Sequence, residues 1–181
     1  MDFSIPANGD SLIILYLSDP REVRASNTKI IQKAEEAGYN IIVLTTNFPA
    51  TVLEKIYNKN GIDHDNIYFI DSITRYSIGG NPGKDEHHVY TASPSDLTGL
   101  SIALSECINQ VKGDKTFILL DSISTMLIYL PSDKISKFVH QTVSRLRQTE
   151  DSGAILAVDG GLDPMLFAQM SSFVDEVVGP E

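Results

Sequence analysis

Short apolar runs of strand length recur along the sequence, and stretches with the apolar spacing of a helix lie between most of them. The strand-length runs are 12–17, 41–44, 67–70, 89–91, 117–120, 154–158 and 177–178. Several are apolar at every position, which predicts strands buried on both faces, as in a parallel sheet covered by helices. The pattern therefore predicts an α/β chain, with a three-layer α/β/α arrangement and a mostly parallel central sheet.

Capping residues predict where the helices begin and end. Ser26 or Asn27 is expected to cap the first helix, and Gly38 to end it. Thr51 and Glu54 have the spacing of a capping box in the second helix. The predicted helices are 27–37, 49–59, one capped by Ser93-Pro94 and running to Gly113, a short one at 126–130, one opening at Ser132, and one capped by Asp163-Pro164.

The polar stretch 71–86 has no periodic pattern and predicts a mobile surface loop or lid. Within it, Gly79-Gly80-Asn81-Pro82-Gly83-Lys84-Asp85 resembles a phosphate-binding loop in composition. Its spacing is one residue short, and Asp85 stands where Ser or Thr is needed. Because no helix pattern follows, the segment is interpreted as a flexible turn.

Composition limits the classes of partner. With 181 residues, positions 1–181 are expected to form a single domain. A formal net charge of −10 disfavours nucleic acids and anionic membrane surfaces. Cys107 is the one cysteine and falls on the apolar face of a helix, so we expect a core residue. Without a secretory signal or a membrane-length apolar run, the expected location is the cytoplasm.

The run 117–120 is followed directly by Asp121, which is the pattern of a Walker B strand. Such a strand delivers a carboxylate to the carboxyl edge of the sheet, where it can hold the magnesium ion of a bound nucleotide. The pattern is weak taken alone, because many buried parallel strands end with an aspartate where the chain enters a polar loop.

The segment 18–29, after the first strand, is where a nucleoside triphosphatase needs a glycine-rich phosphate loop. This segment contains no glycine, and Pro20 has no amide hydrogen to donate. Asp19 and Glu22 would repel a polyphosphate. The cations that can meet another anion, or act only as solvated surface charges, are Arg21, Arg24 and Lys29.

Other polar clusters give no clear site. His87 and His88 are adjacent, so on a strand they point to opposite faces and do not readily chelate one metal ion together. The cluster 63–65, Asp-His-Asp, lacks spaced third and fourth ligands, and a surface turn is the favoured interpretation. No Gly-x-Ser-x-Gly motif or Cys-x-x-Cys pair occurs, so nucleophile-elbow hydrolysis and dithiol redox chemistry have no support.

The element order and the segments 117–125, 44–49 and 61–63 resemble RecA-superfamily domains of the KaiC-like type common in archaea, over roughly 11–178. The resemblance implies a RecA/P-loop NTPase-like fold and self-association into rings or filaments. ATPase members carry a catalytic glutamate near the end of the second strand, where this chain has Thr45, Thr46 and Asn47. Only Asp121 matches the catalytic pattern.

Three functions follow as hypotheses. The first is a degenerate domain without a Walker A motif, a non-hydrolysing regulatory or assembly module that contacts a protein partner or its own copies. The apolar segment 126–131 is either a contact surface for it or part of the core. No cofactor is expected for this module. The second is an atypical ATPase that binds ATP and magnesium, with Asp121 as the metal ligand. The third is a small-ligand binder at the carboxyl ends of the strands. The candidate nucleotide-binding residues are Arg21, Arg24, Asn27, Thr28, Lys29, Asn47, Asp121 and Ser122. The candidate rim of a small-ligand site consists of Asp19, Arg21, Asn47, Asp121, Ser122 and Asp159.

Overall fold

Strands and helices alternate throughout residues 3–6, 10–83, 85–111 and 115–180, the part of the chain that the computed structural model describes. The strands are β1 (Ile13–Ser18), β2 (Asn40–Thr45), β3 (Ile67–Asp71), β4 (His88–Tyr90), β5 (Thr116–Asp121), β6 (Ser152–Val158) and β7 (Glu176–Val178). The helices are α1 (Val23–Glu36), α2 (Ala50–Lys59), α3 (Thr74–Ile78), α4 (Leu97–Gln110), α5 (Ile123–Met126), α6 (Ser132–Thr149) and α7 (Pro164–Phe173).

The strands form one sheet in the order β4-β3-β2-β5-β6-β1-β7, and every pair is parallel. The strand β5 is central, and all six of its residues are buried. Its register aligns Asp121 with Thr45 of β2 and Leu156 of β6, so these strands reach the same carboxyl edge. The predicted parallel α/β sheet is confirmed.

Helices cover both faces of the sheet, each over its own apolar core. On one face α1 and α2 pack their buried residues, such as Ile30 and Leu53, against the sheet. On the other face α4, α5, α6 and α7 contribute to a second core, which includes Leu100 and Phe138. The three-layer arrangement is therefore confirmed, and Cys107 lies in the second core as expected.

Several local predictions are also confirmed. Gly38 has φ of +79° directly after α1, the left-handed conformation that a glycine adopts without strain. Asp163 caps α7 by accepting hydrogen bonds from the amides of Met165 and Leu166, and Pro164 occupies the first helical position. The C-terminal edge strand β7 pairs with β1 as expected.

The predicted start of the first helix is wrong. The helix α1 begins at Val23, and Ser26 and Asn27 lie inside it with buried side chains. Asp19 organises the tight turn before α1, since its backbone oxygen accepts the Glu22 amide at 2.9 Å. The two polar side chains are consequently free to make buried contacts instead of capping the helix.

The capping predictions for the next two long helices are also wrong. No side-chain cap forms in α2, and its first amide, that of Ala50, donates to Asp71 Oδ2 at 2.7 Å. In α4 the cap is Asp96, which accepts from the Gly99 amide at 2.9 Å, and Ser93 lies in a turn before it. The predicted end of that helix at Gly113 lies outside the described residues, as does Lys84.

Two short helices depart from the expectations. The segment predicted as a loop over 71–86 contains α3, which ends at Gly79 in a left-handed conformation. The short helix expected at 126–130 begins earlier, because Ser122 and Thr125 form a capping box at the start of α5. Among the described residues, no helix is both long and apolar enough to cross a membrane.

Candidate functional site

Asp121 ends β5 at the carboxyl edge of the sheet, and its side chain is fully buried. Asn27 of α1 donates a hydrogen bond from Nδ2 to Asp121 Oδ2 at 2.7 Å. Tyr57 of α2 donates its hydroxyl hydrogen to Asn27 Oδ1, also at 2.7 Å. This buried polar chain, Tyr57–Asn27–Asp121, joins two helices to the central strand and covers the carboxylate from the side of α1.

Burial raises the pKa of Asp121 to about 6, because a carboxylate removed from water loses its hydration. The side chains of Asn27 and Asn47 lower the pKa in part, since hydrogen bonding to the charged form favours it. Within the described part of the chain, Oδ1 of Asp121 still lacks a hydrogen-bond partner of ordinary geometry. Asn27 therefore holds one carboxyl oxygen, Oδ2, and the other oxygen is buried without such a partner.

Tyr57 is the second titratable member of the chain. Burial, and then the charge of Asp121, raise its pKa well above the ordinary value of a tyrosine. The hydroxyl therefore stays protonated at neutral pH and acts as a fixed donor to Asn27. This arrangement orients the Asn27 amide so that its NH2 group faces Asp121.

In the turn between β1 and α1, backbone amides donate hydrogen bonds to Asp19 within the turn itself. Arg21 donates its amide hydrogen to Asp19 Oδ1 at 2.8 Å, and its guanidinium pairs with the same carboxylate at 3.1 Å. The Glu22 amide donates to the Asp19 backbone oxygen, and Pro20 has no amide hydrogen to donate. A phosphate cradle needs successive inward-facing amides, and these three positions do not supply them.

The hydroxyl side chains around the end of β5 form a second network. Thr46 Oγ1 accepts from the Ser122 amide at 3.2 Å and lies 2.7 Å from Thr125 Oγ1. Ser122 Oγ accepts from the Thr125 amide at 3.3 Å, which starts α5. The Asp121–Ser122 peptide bond is cis. Ser122 is therefore a buried capping residue in this structure.

The other predicted ligand residues lie apart from Asp121. Arg21 is paired with Asp19 at the surface, and Arg24 is exposed. Thr28 donates its hydroxyl hydrogen to the Arg24 backbone oxygen at 3.0 Å. Lys29 is exposed and lines a cavity beside the β1–α1 turn. Of the eight candidates, the structure brings Asn27 and Asn47 to Asp121, with Ser122 next to it in the chain.

Two cavities lie beside the carboxyl end of β1. One, of about 310 Å³, is bordered by both Asp19 and Glu22, whose charges oppose a polyphosphate. The other, of about 340 Å³, is mainly apolar and is bordered by Leu162, Phe167 and the candidate rim residue Asp159. Neither is lined by Asp121 or Ser122, so the predicted rim residues do not converge on one of these two cavities.

Asp71 is a buried carboxylate whose structural role was not predicted from the sequence. Its Oδ1 accepts the amides of Ile73 and Thr74, and its Oδ2 accepts the Ala50 amide and the Thr74 hydroxyl. These bonds tie the end of β3 to the starts of α2 and α3. The signal in the sequence is an apolar run that ends in Asp71, the same pattern that marked Asp121.

The adjacent histidines lie on opposite faces of the sheet, as expected, although only His88 belongs to β4 and His87 directly precedes it. His87 stacks on Tyr68 with ring centroids 4.8 Å apart, and His88 stacks on Phe69 at 5.4 Å. His88 lies between two carboxylates, with Nδ1 2.8 Å from Asp85 and Nε2 2.9 Å from Glu54. Both nitrogens of His88 are therefore engaged.

The fold and the site together define an α/β chain with a seven-stranded parallel sheet, whose β5 carboxylate is enclosed by its own helices. The model of a family of unknown function, DUF7504, matches residues 13–179, and the chain belongs to that family. A comparison with curated proteins finds no match.

Solved structures from Pyrococcus horikoshii share this fold. The KaiC-like protein PH0186 has 12% identity and a TM-score of 0.63, over 94% of this chain and 71% of that chain. The uncharacterised protein PH0321, in complex with an unknown peptide, has 13% identity and a TM-score of 0.68, over 95% of this chain and 78% of its own. PH0250 has 10% identity and a TM-score of 0.59, over 98% and 83%. At these identities the likeness establishes the fold.

Proposed function

We propose that this chain is a non-hydrolysing RecA/KaiC-like domain, spanning residues 1–181, that acts as a regulatory or assembly module through protein contacts. The observation that carries the proposal is the hydrogen bond from Asn27 to the fully buried carboxylate of Asp121. A Walker B aspartate serves a nucleotide only when its oxygens face the metal ion or a water molecule bound to it. Here α1 covers that carboxylate with a side chain of the same domain.

The alternative, an atypical ATPase, needs several changes from the observed arrangement. Magnesium prefers oxygen ligands and keeps several water molecules, so Asp121 would have to be exposed to solvent. Arg21 would have to leave Asp19 to neutralise phosphate charge. A feature that favours a further ligand is the buried Oδ1 of Asp121, which has no hydrogen-bond partner among the described residues.

Exposed apolar side chains gather near the carboxyl edge and supply a contact surface. This apolar rim consists of Tyr76, Ile78, Ile128, Met165 and Phe167, which are exposed by 40% to 73%. They belong to segments that follow the ends of β3, β5 and β6. Tyr76 also contacts Tyr129, beside Ile128, with ring centroids 5.6 Å apart, which joins two of these segments. Clustered exposed apolar groups of this kind mark protein interaction sites.

The expected contact is with a second copy of this chain or with another protein. The KaiC-like resemblance favours self-association, and Ile128 lies within 126–131, a segment that the sequence leaves open as a contact surface or part of the core. PH0321, which shares the fold, is in complex with an unknown peptide, and a peptide-binding role for the apolar rim agrees with that complex.

Self-association is tested by light scattering coupled to size-exclusion chromatography. We expect the wild-type chain to show a mass above that of the monomer, rising with protein concentration. The variant Ile128→Asp/Met165→Asp places two charges on the apolar rim and is expected to shift the mass to that of the monomer, because burying an unpaired charge at an interface is costly.

The control is Ile102→Asp on α4, which has similar exposure but lies outside the apolar rim. This variant is expected to keep the wild-type mass profile. A wild-type chain that remains monomeric at its highest soluble concentration, or a control that dissociates as readily as the rim variant, would contradict self-association through the apolar rim.

A further inference from the structure

A cavity of about 300 Å³ lies where the turn before β3 meets the start of β4, away from Asp121. Histidine and carboxylate side chains provide most of its lining, including His64, Asp65, Glu86 and His87. None of the described residues that border it is a lysine or an arginine. The cavity therefore has the charge and the ligand types that suit a cation.

The turn 63–65 places three potential ligands close together. Ligand atoms of Asp63, His64 and Asp65 all lie within 4.8 Å of one another. Two atoms that bind one zinc ion at about 2.1 Å are at most about 4.2 Å apart, so modest side-chain rotations are sufficient. The sequence spacing alone favoured a surface turn, because it did not show that His64 and Asp65 border a cavity that contains a second histidine.

His87 provides independent evidence from the other side of the cavity. Its Nδ1 lies 3.1 Å from the Ile67 backbone oxygen. Because a carbonyl oxygen only accepts, Nδ1 carries the hydrogen, and Nε2 of the neutral ring is left unprotonated. A metal-binding histidine usually donates a hydrogen bond from its other ring nitrogen to a carbonyl or carboxylate, which fixes the orientation of the ring.

His64 is also available as a ligand. Within the described residues, neither ring nitrogen of His64 has a hydrogen-bond partner, in contrast to His88, which is held by Asp85 and Glu54. An imidazole ligand favours zinc, cobalt or nickel over magnesium or calcium, which prefer oxygen. The available donors are thus those of a borderline transition metal.

We propose that the turn 63–65 and the cavity beside it bind a divalent transition metal of the zinc class. The ligands from the turn are Asp63, His64 and Asp65, of which His64 and Asp65 border the cavity, and His87, directly before β4, is the ligand from its other side. The site is separate from the proposed protein-contact function, and it joins the turn before β3 to the segment that leads into β4. Its ligation would hold these two segments together.

The site is tested with the untagged chain, because a polyhistidine tag binds the same metals. Calorimetric titration with zinc is expected to show one site at pH 7.5, and substitution of cobalt is expected to give the visible absorption of a nitrogen- and oxygen-ligated ion. The variants His64→Ala and His87→Ala are each expected to weaken zinc binding by about 100-fold or more, which exceeds the usual effect of losing a residue that only orients a ligand.

The matched control is His140→Ala, a histidine on α6 that packs against Phe173 and lies outside the cavity. This variant is expected to bind zinc within about twofold of the wild-type affinity, since it removes no ligand. Because His64 lies in a surface turn, His64→Ala is expected to keep the wild-type circular dichroism spectrum, and Asp65→Asn provides a second, nearly isosteric test.

The proposal is overturned if the wild-type chain binds zinc no more tightly than millimolar. It is also overturned if folded His64→Ala or Asp65→Asn binds with wild-type affinity, or if His140→Ala loses binding to the same extent.

Discussion

Replacing Asn27 with alanine is expected to lower the free energy of unfolding at pH 8 by about 3 kcal/mol or more. The substitution removes the donor to Asp121 Oδ2 and the acceptor of the Tyr57 hydroxyl. At this pH the carboxylate is charged, because its pKa is about 6. A buried charge and a buried hydroxyl are then both left without these partners, and no side chain of similar size replaces the amide.

Chemical denaturation monitored by circular dichroism measures this loss. The matched control is Asn58→Ala, an exposed asparagine in α2 that is expected to change the stability by less than about 0.5 kcal/mol. A loss below about 1 kcal/mol for Asn27→Ala would mean that water or another side chain replaces the amide, and that the carboxylate of Asp121 is not sealed.

Replacing Asp121 with asparagine is expected to stabilise the chain at pH 8. The pKa of this carboxyl is about 6 in the folded state against an ordinary value of 3.8, so the folded state binds more protons between these values. The stability of the wild-type chain therefore falls as the pH rises from about 4 to 6, by roughly 3 kcal/mol for a shift of about two units. Asparagine lacks this titration and keeps an oxygen that accepts from Asn27.

The expected gain for Asp121→Asn is about 1 to 3 kcal/mol at pH 8, and it disappears at pH 4. The gain is expected to be near 1 kcal/mol if the NH2 group of the new asparagine finds no hydrogen-bond acceptor in the buried site. Asp159→Asn is the control, because Asp159 directly follows β6 as an exposed carboxylate. The prediction is contradicted if Asp121→Asn destabilises the chain at pH 8, or if its stability has the same pH dependence as that of the wild type. The charge of Asp121 would then be stabilised in the folded chain by further interactions.

Much of the sheet could be predicted from the sequence, because its strands are continuous apolar runs. A run such as 117–120 is buried on both faces whatever its neighbours are, so local composition is sufficient. The apolar face of α6, which buries Ile135, Val139 and Leu146, is likewise predictable from the residue spacing within the helix alone. The same holds for the cap at Asp163, which bonds amides two and three residues away.

The starts of the helices were harder to predict, because the same polar side chains serve local and distant partners. Asn27 is a good capping residue by type, but its partner Asp121 is 94 positions away in the sequence. The first amide of α2, which no side chain of its own segment caps, donates to Asp71, 21 positions further along the chain. Neither contact leaves a local signal, so the sequence predicted caps within the segments themselves.

The candidate site shows the same limit. Asp121 could be predicted from the end of its strand, and the missing phosphate loop from the absence of glycine in 18–29. That Tyr57 and Asn27 cover the carboxylate depends on the packing of two helices against β5. The glycine-free segment 18–29 is sufficient to predict that a phosphate cradle is absent. Only the structure shows that the side chains of Asn27 and Tyr57 lie next to the Asp121 carboxylate.

The central claim is that Asp121 is closed to a magnesium–nucleotide complex by the side chains of its own domain. Isothermal titration of the wild-type chain with ATP and magnesium, together with an assay for released phosphate, tests it most directly. We expect no binding heat up to millimolar nucleotide and no turnover, with the same result for Asp121→Asn. Micromolar binding with phosphate release by the wild-type chain, abolished in Asp121→Asn, would contradict the claim.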